Sequence, residues 1–166
     1  MSIRECAQCS ALKPSGLRCT RTTCKYPGTC WQHTMAENKL EIKRSAIPDA
    51  GDGLFALKRF RRGDPIATFG GQVVSTSAYE ESPSVYGIHL NGTLVLDSAS
   101  TQAGLARYAN NCTTTDRRAN SCPGNNARIV VNARTRTARL EATKTIEIGQ
   151  EVFAAYGSSY GKRARR

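Results

Sequence analysis

The chain has 166 residues, 39% of them hydrophobic, enough for one domain of ordinary size with a modest core. Lys and Arg number 24 against 13 Asp and Glu, a formal net charge of +11, a balance found beside nucleic acid, in chromatin-like surroundings or simply for solubility. No apolar run approaches the length of a membrane-spanning helix, and the opening MSIRECAQCS lacks the apolar stretch of a secretory leader, so the expectation is an intracellular protein with no membrane contact, in a compartment where disulfides are rare.

The cysteines are unevenly spread. Cys6, Cys9, Cys19, Cys24 and Cys30 precede His33, and only two more follow in the rest of the chain. The spacing is C-x2-C at one end and C-x2-H at the other. Such pairs let two ligands from one tight turn reach a single tetrahedral zinc. KPSG and KYPG supply the turns. Residues 1–36 hold too few aliphatics to fold by hydrophobic burial, so a structural metal is the expected staple. Six candidate ligands exceed the four that one zinc needs. Cys30 and His33 head the set, Cys9 and Cys19 are the other two, and Cys6 and Cys24 stand as alternates. The competing reading is a tail of reduced, unliganded cysteines.

The texture changes at residue 40. LEIKRSAI, GLFAL, DPIATF, QVVS, YGIHL, TLVLD, RIVVNA, TARLEAT and EVFAAY are strand-length runs separated by Gly, Asp, Asn and Pro. Turn signals at this interval predict a mainly β domain of short strands over 40–160. STSAYEES and SASTQAGLARYAN read as short helices. Residues 107–129, RYANNCTTTDRRANSCPGNNARI, hold five asparagines and little apolar filling, as a polar loop or an amide-rich ligand site does. GKRARR, 161–166, is a basic tail.

Three stretches, in order, resemble the SET-domain protein lysine methyltransferases. AIPDAGDGLFALKRFRRGDPIATFGGQVVS is similar to the family's opening strand, Gly-x-Gly turn and following hairpin. YGIHLNGTLVLDSASTQAGLARYANNC is similar to its central region, which ends in an Asn-His-x-Cys type loop. IEIGQEVFAAYG is similar to its closing Glu-rich turn and Tyr-Gly. The resemblance implies the SET (β-clip) fold, in which the last strand passes under the asparagine loop as a pseudoknot. It also implies transfer of a methyl group from S-adenosylmethionine to a lysine amine, histone lysine foremost. Free lysine has a pKa of about 10.4, so the site must disfavour the ammonium by desolvation and nearby positive charge.

Carried over by motif, the catalytic residues are Tyr156 and Tyr86. The cofactor residues are Gly51, Asp52 and Gly53, where glycine lets backbone approach a ligand, with Arg107, Tyr108, Asn110, Asn111 and Tyr156. Asn111 stands where the family often has His; there the backbone meets the adenine. Asn126 matches the asparagine that closes the loop, and TTTDRRANSCPG reads as an insertion. Any of these amides could instead be turn scaffolding, and any tyrosine a core aromatic. His89 reads as a strand residue, and Cys112 and Cys122 as structural or free.

Two departures stand out. No cysteine follows the Tyr-Gly, so Tyr160, the zinc segment, a second subunit or the substrate must lid the lysine channel. Ala154 replaces an aromatic, which implies room for more than one methyl if it faces that channel. The expected partners are a lysine-bearing protein tail and, through the basic surface, nucleosomal DNA, in the nucleus or on chromatin; Glu80, Glu81 and Asp97 offer a local acidic groove. Alternatives are a SET-like binding module on chromatin or nucleic acid, and a methyltransferase of a non-histone basic protein.

Overall fold

The structure is a computed structural model and describes residues 4–112 and 122–156. The basic tail, Tyr160 and most of the TTTDRRANSCPG insertion lie outside the described residues. At the N-terminus β1 (Ala7–Gln8) and β2 (Thr22–Thr23) form a minimal antiparallel pair. Helix α1 (Trp31–Asn38) follows and ends at Lys39, whose left-handed backbone (φ 56°) returns its N–H to the Met35 carbonyl. The sequence pattern did not suggest this helix, because WQHTMAEN has no apolar stripe.

The strand-length runs then become strands. β3 (Leu40–Arg44) pairs with β4 (Asp52–Ala56). β6 (Gln72–Ser75), β8 (Leu94–Asp97) and β7 (Gly87–His89) form a three-stranded sheet in that order. β11 (Ala154–Ala155), β9 (Ala127–Asn132), β10 (Thr137–Ala142) and β5 (Pro65–Phe69) form the largest sheet, again in that order. The STSAYEES run becomes α2 (Thr76–Glu81), whose N-cap Ser75 accepts from Ala78 N–H at 3.2 Å. LARY becomes one 3-10 turn, Leu105–Tyr108.

The small sheets wrap a main core in which Leu40, Leu54, Phe60, Leu140, Ile146 and Val152 are fully buried, with a smaller cluster of Leu90, Leu96 and Ala138 beside it. Burying each such side chain contributes about 1.5–3 kcal/mol. The C-terminal segment threads between two earlier ones. β11 runs parallel to β9 on one side, and Phe153 bridges in parallel to Asn110 on the other. Ala154 N–H donates to the Asn110 carbonyl at 2.9 Å, and Asn126 and Ala127 N–H both donate to the Phe153 carbonyl. This is the expected knot-like crossing, and it brings the asparagine loop against the final tyrosine. Among the described residues no helix is long and apolar enough to cross a membrane.

The N-terminal segment is docked on this body. The Tyr26 hydroxyl donates to the Ile42 carbonyl and accepts from Ile42 N–H. Gly28 N–H donates to the Gln102 side chain, the Tyr108 hydroxyl to the Lys25 carbonyl, and Lys25 pairs with Asp52 at 2.8 Å.

Candidate active site and metal centre

Cys9, Cys19, Cys30 and His33 converge. Their ligand atoms all lie within 4.8 Å of one another, and the three thiols are buried. His33 Nδ1 stands 3.4 Å from Cys9 Sγ and 3.3 Å from Cys30 Sγ, close to the roughly 3.5 Å edge of a tetrahedral site with bonds of 2.0–2.3 Å. The local chain explains the convergence. Cys9 and Cys19 flank a hairpin whose N–H and carbonyl groups bond across it, while Cys30 and His33 share the first turn of α1. The backbone N–H of Arg21 holds the Cys19 thiol below its ordinary pKa. Burial pushes the Cys30 thiol up, but contacts to His33 and Cys9 bring its net shift down. Three buried thiols and an imidazole with no apolar partner but Ala11 fit a zinc ion. The alternates need correction: Cys6 and Cys24 are bonded to each other as a disulfide and offer no thiolate to a metal. Cys112 and Cys122 are likewise joined, closing the inserted loop at its base, so two disulfides stand where the sequence led to the expectation of few.

The expected cofactor residues gather where β4, the asparagine loop and the threaded segment meet. Gly51 turns the chain with φ 77°, a conformation that favours glycine. Gly53 has a different reason: a Cβ there would overlap the Glu151 carboxylate. Asn110 donates through Nδ2 to the Asp52 carbonyl at 3.0 Å and to Glu151 Oε1 at 3.3 Å. Its amide oxygen has no hydrogen-bond partner among the described residues, nor have the backbone N–H and carbonyl of Asn111. Asn111 is steadied through its side chain, which accepts from Asn125 at 3.0 Å. An open acceptor beside a carboxylate suits an ammonium, and an open N–H and carbonyl pair suits the edge of a base. The donor set therefore fits S-adenosylmethionine.

Glu151 is the residue the sequence reading missed. It is buried, and it accepts from the Ser45 hydroxyl at 2.6 Å, from Ala46 N–H at 2.9 Å and from Asn110. Asn126 holds the same strand, donating to the Glu151 carbonyl and accepting from Phe153 N–H. The signal was present: EVFAA puts a lone carboxylate at the head of an otherwise apolar buried run.

The Tyr156 hydroxyl donates to the Ala109 carbonyl, and its ring packs on the main core. Tyr86 lies over the Arg107 guanidinium at 4.1 Å, and Tyr108 sits beside the same group at 4.9 Å. Arg107 donates to the Ser98 and Ala99 carbonyls. Its side chain thus supports the two rings, rather than lying open as a floor. Tyr108 is buried, which pushes its pKa up, and it points to Lys25 of the N-terminal segment. Tyr86 is pinned through Ser84, which accepts from Tyr86 N–H and donates to Asp97. Asp97 is thereby engaged, while Glu80 and Glu81 on α2 are exposed. Ala154 is fully buried in the main core, so its small side chain leaves no void open to solvent. His89 is a strand residue edge-on to Tyr79.

No curated protein matches the chain. Among solved structures, it is similar to the methyltransferase domain of human PR domain-containing protein 2. The identity is 19% and the TM-score 0.57, over 76% of this chain and 84% of that one; at that identity the likeness is one of fold. The family model of the SET domain matches residues 51–157, which takes in the Gly51 turn, the asparagine loop, the threaded segment and Tyr156. The mainly β architecture, the crossing of the last strand and this match agree: the chain belongs to the SET-domain family.

Proposed function

We propose that the protein is an S-adenosylmethionine-dependent protein-lysine N-methyltransferase with one structural zinc on Cys9, Cys19, Cys30 and His33. The observation that carries this reading is the threaded segment: it sets Tyr156 against the Ala109 carbonyl one residue from Asn110, whose amide oxygen is open beside Asp52 and Glu151. When bound, S-adenosylmethionine supplies a methyl group activated on a sulfonium.

The chain's own residues do the rest. Asn110 and the Asp52 carbonyl would hold the cofactor's amino-acid end, and the Asn111 backbone would hold the adenine. Tyr156 donates its proton to Ala109, so its oxygen lone pairs face an incoming amine and orient it. Tyr86 walls the channel, and the Arg107 charge behind it disfavours a protonated lysine. Exclusion of water acts in the same direction, so positioning and desolvation carry much of the rate. The substrate is a lysine-bearing basic tail, histone foremost, in a nuclear setting. The exposed Glu80 and Glu81 support the basic tail as a local acidic contact, while the net charge of +11 would repel a free tail and supports the nuclear setting through nucleic acid.

The test is incubation with methyl-labelled S-adenosylmethionine and core histones, nucleosomes or a cell extract, with Tyr156→Phe in parallel. Label is expected in a histone band, with the variant slowed strongly at unchanged cofactor affinity. Label in a different basic protein would move the substrate. No label anywhere, with cofactor bound, would leave the SET-like binding module.

A further inference from the structure

The zinc segment carries a surface that methyl transfer does not use. An open cavity of about 420 Å³ lies on it, with Arg4, Arg21, Lys25, Tyr26 and Trp31 in its wall. Trp31 is the only tryptophan in the chain and is 50% exposed. Tryptophan is ordinarily well buried, so a half-open indole beside arginines is a feature to explain.

The charge around it is one-sided. Up to His33 the segment holds five Lys or Arg and a single acid, Glu5. Glu5 faces elsewhere: its carboxylate accepts from the Ser100 hydroxyl on the body. Lys25 is neutralised by Asp52. Arg4 and Arg21 have no carboxylate partner among the described residues, and the Arg21 side chain rests against the Cys19 thiol. The walls are also held in place. Arg21 lies two residues after Cys19, and Trp31 directly follows Cys30, so both flank ligands of the metal cluster. The Cys6–Cys24 disulfide and the Tyr26–Ile42 bonds fix the rest of the rim.

We propose that this cavity binds single-stranded nucleic acid, with backbone phosphate on Arg4 and Arg21 and a base stacked on Trp31. A cationic groove beside an exposed ring is the combination that holds unpaired strands, because every base has a π face and every linkage a charge. An acidic peptide would use the arginines but leave the indole idle. A duplex keeps its bases stacked inside, where Trp31 does not reach. The proposal does not depend on the methyl-transfer reading.

Trp31 is its own reporter. Titrating the full-length, zinc-loaded protein with a short oligothymidylate is expected to quench Trp31 fluorescence to saturation. Two phosphate contacts predict a salt slope near −1.4, a loss of about sevenfold in affinity between about 50 and 200 mM salt. Arg21→Ala should bring that slope down by about 0.7. With a labelled oligonucleotide, Trp31→Ala should weaken binding at least about fivefold, while Trp31→Tyr keeps most of it. Arg134→Ala with Arg136→Ala, on the exposed turn between β9 and β10, should change neither. Absence of quenching would overturn the proposal. So would equal quenching by a duplex or by polyglutamate, or a loss in the Arg134/Arg136 variant equal to that of Arg21→Ala, which would mean general adsorption of polyanions.

Discussion

Between residues 4 and 30 the deepest side chains are Cys9, Cys19 and Cys30, while Leu12 and Leu17 stand mostly in solvent. Between 40 and 156 they include Leu40, Leu54, Phe60, Val95, Leu140, Ile146 and Val152. The first region has backbone turns and thiols but almost no apolar area to bury. It is ordered by a Cys/His cluster fit to hold a metal, a disulfide and hydrogen bonds to its neighbour. The second is ordered by a close-packed core with small sheets around it. The contrast teaches that the site borrows from both. Asp52 and Tyr108 belong to the body, yet each is tied to Lys25 of the N-terminal segment.

Breaking the first region should have the largest effect. Structural zinc in small modules contributes an apparent 10–16 kcal/mol, roughly, to their folding. Cys19→Ser, or chelation, should abolish zinc retention by elemental analysis and expose residues 4–33 to protease while the β signal of the body persists. Simultaneous collapse of both would mean that they form one cooperative unit.

The second region should break differently. Leu140 is fully buried on β10, and Leu140→Ala should cost about 2–5 kcal/mol. Thermal melting should fall accordingly, by about 2–4 °C per kcal/mol, with zinc content unchanged.

Glu151 sharpens the comparison at the junction of the site. Glu151→Gln replaces an oxygen acceptor with an amide donor facing Ser45, Ala46 and Asn110. A loss of about 1–3 kcal/mol in stability is expected. It should come with weaker S-adenosylmethionine binding, because the Gly53 strand and Asn110 both rest on that carboxylate. Stability lost at unchanged affinity would confine Glu151 to a purely structural role.

The smallest effect lies on the surface. Hydrogen bonds from Arg128 and then Arg139 hold the Glu141 carboxyl below its ordinary pKa. Its folded value is depressed, so its contribution is present above the unfolded value, about 4.3, and is lost as pH falls through the lower folded one. Glu141→Gln should slightly lower the melting temperature at neutral pH and converge on the wild type in acid, which flattens the acid side of the profile.

How much was legible varies in the same way. Each strand of the body overlaps one of the strand-length runs set off by turn formers, because punctuation is a local property. The metal quartet was legible in part, since Cys30 and His33 share one helical turn and Cys9 and Cys19 one hairpin. Spacing alone did not reveal that Cys6 and Cys24 pair with each other, because that depends on β1 lying against β2. Nor did it show Lys25 reaching Asp52, or Arg107 turning from the cofactor side to brace Tyr86 and Tyr108. Those are contacts between segments distant in sequence, and no periodicity encodes them.

The most direct test of the central claim is calorimetric titration of the folded, zinc-loaded chain with S-adenosylmethionine, beside Asn110→Ala. One binding site per chain is expected, with affinity severely reduced in a variant that melts like the wild type. Absence of binding by the wild type, or equal affinity in the variant, would contradict the assignment of the asparagine loop as the cofactor site.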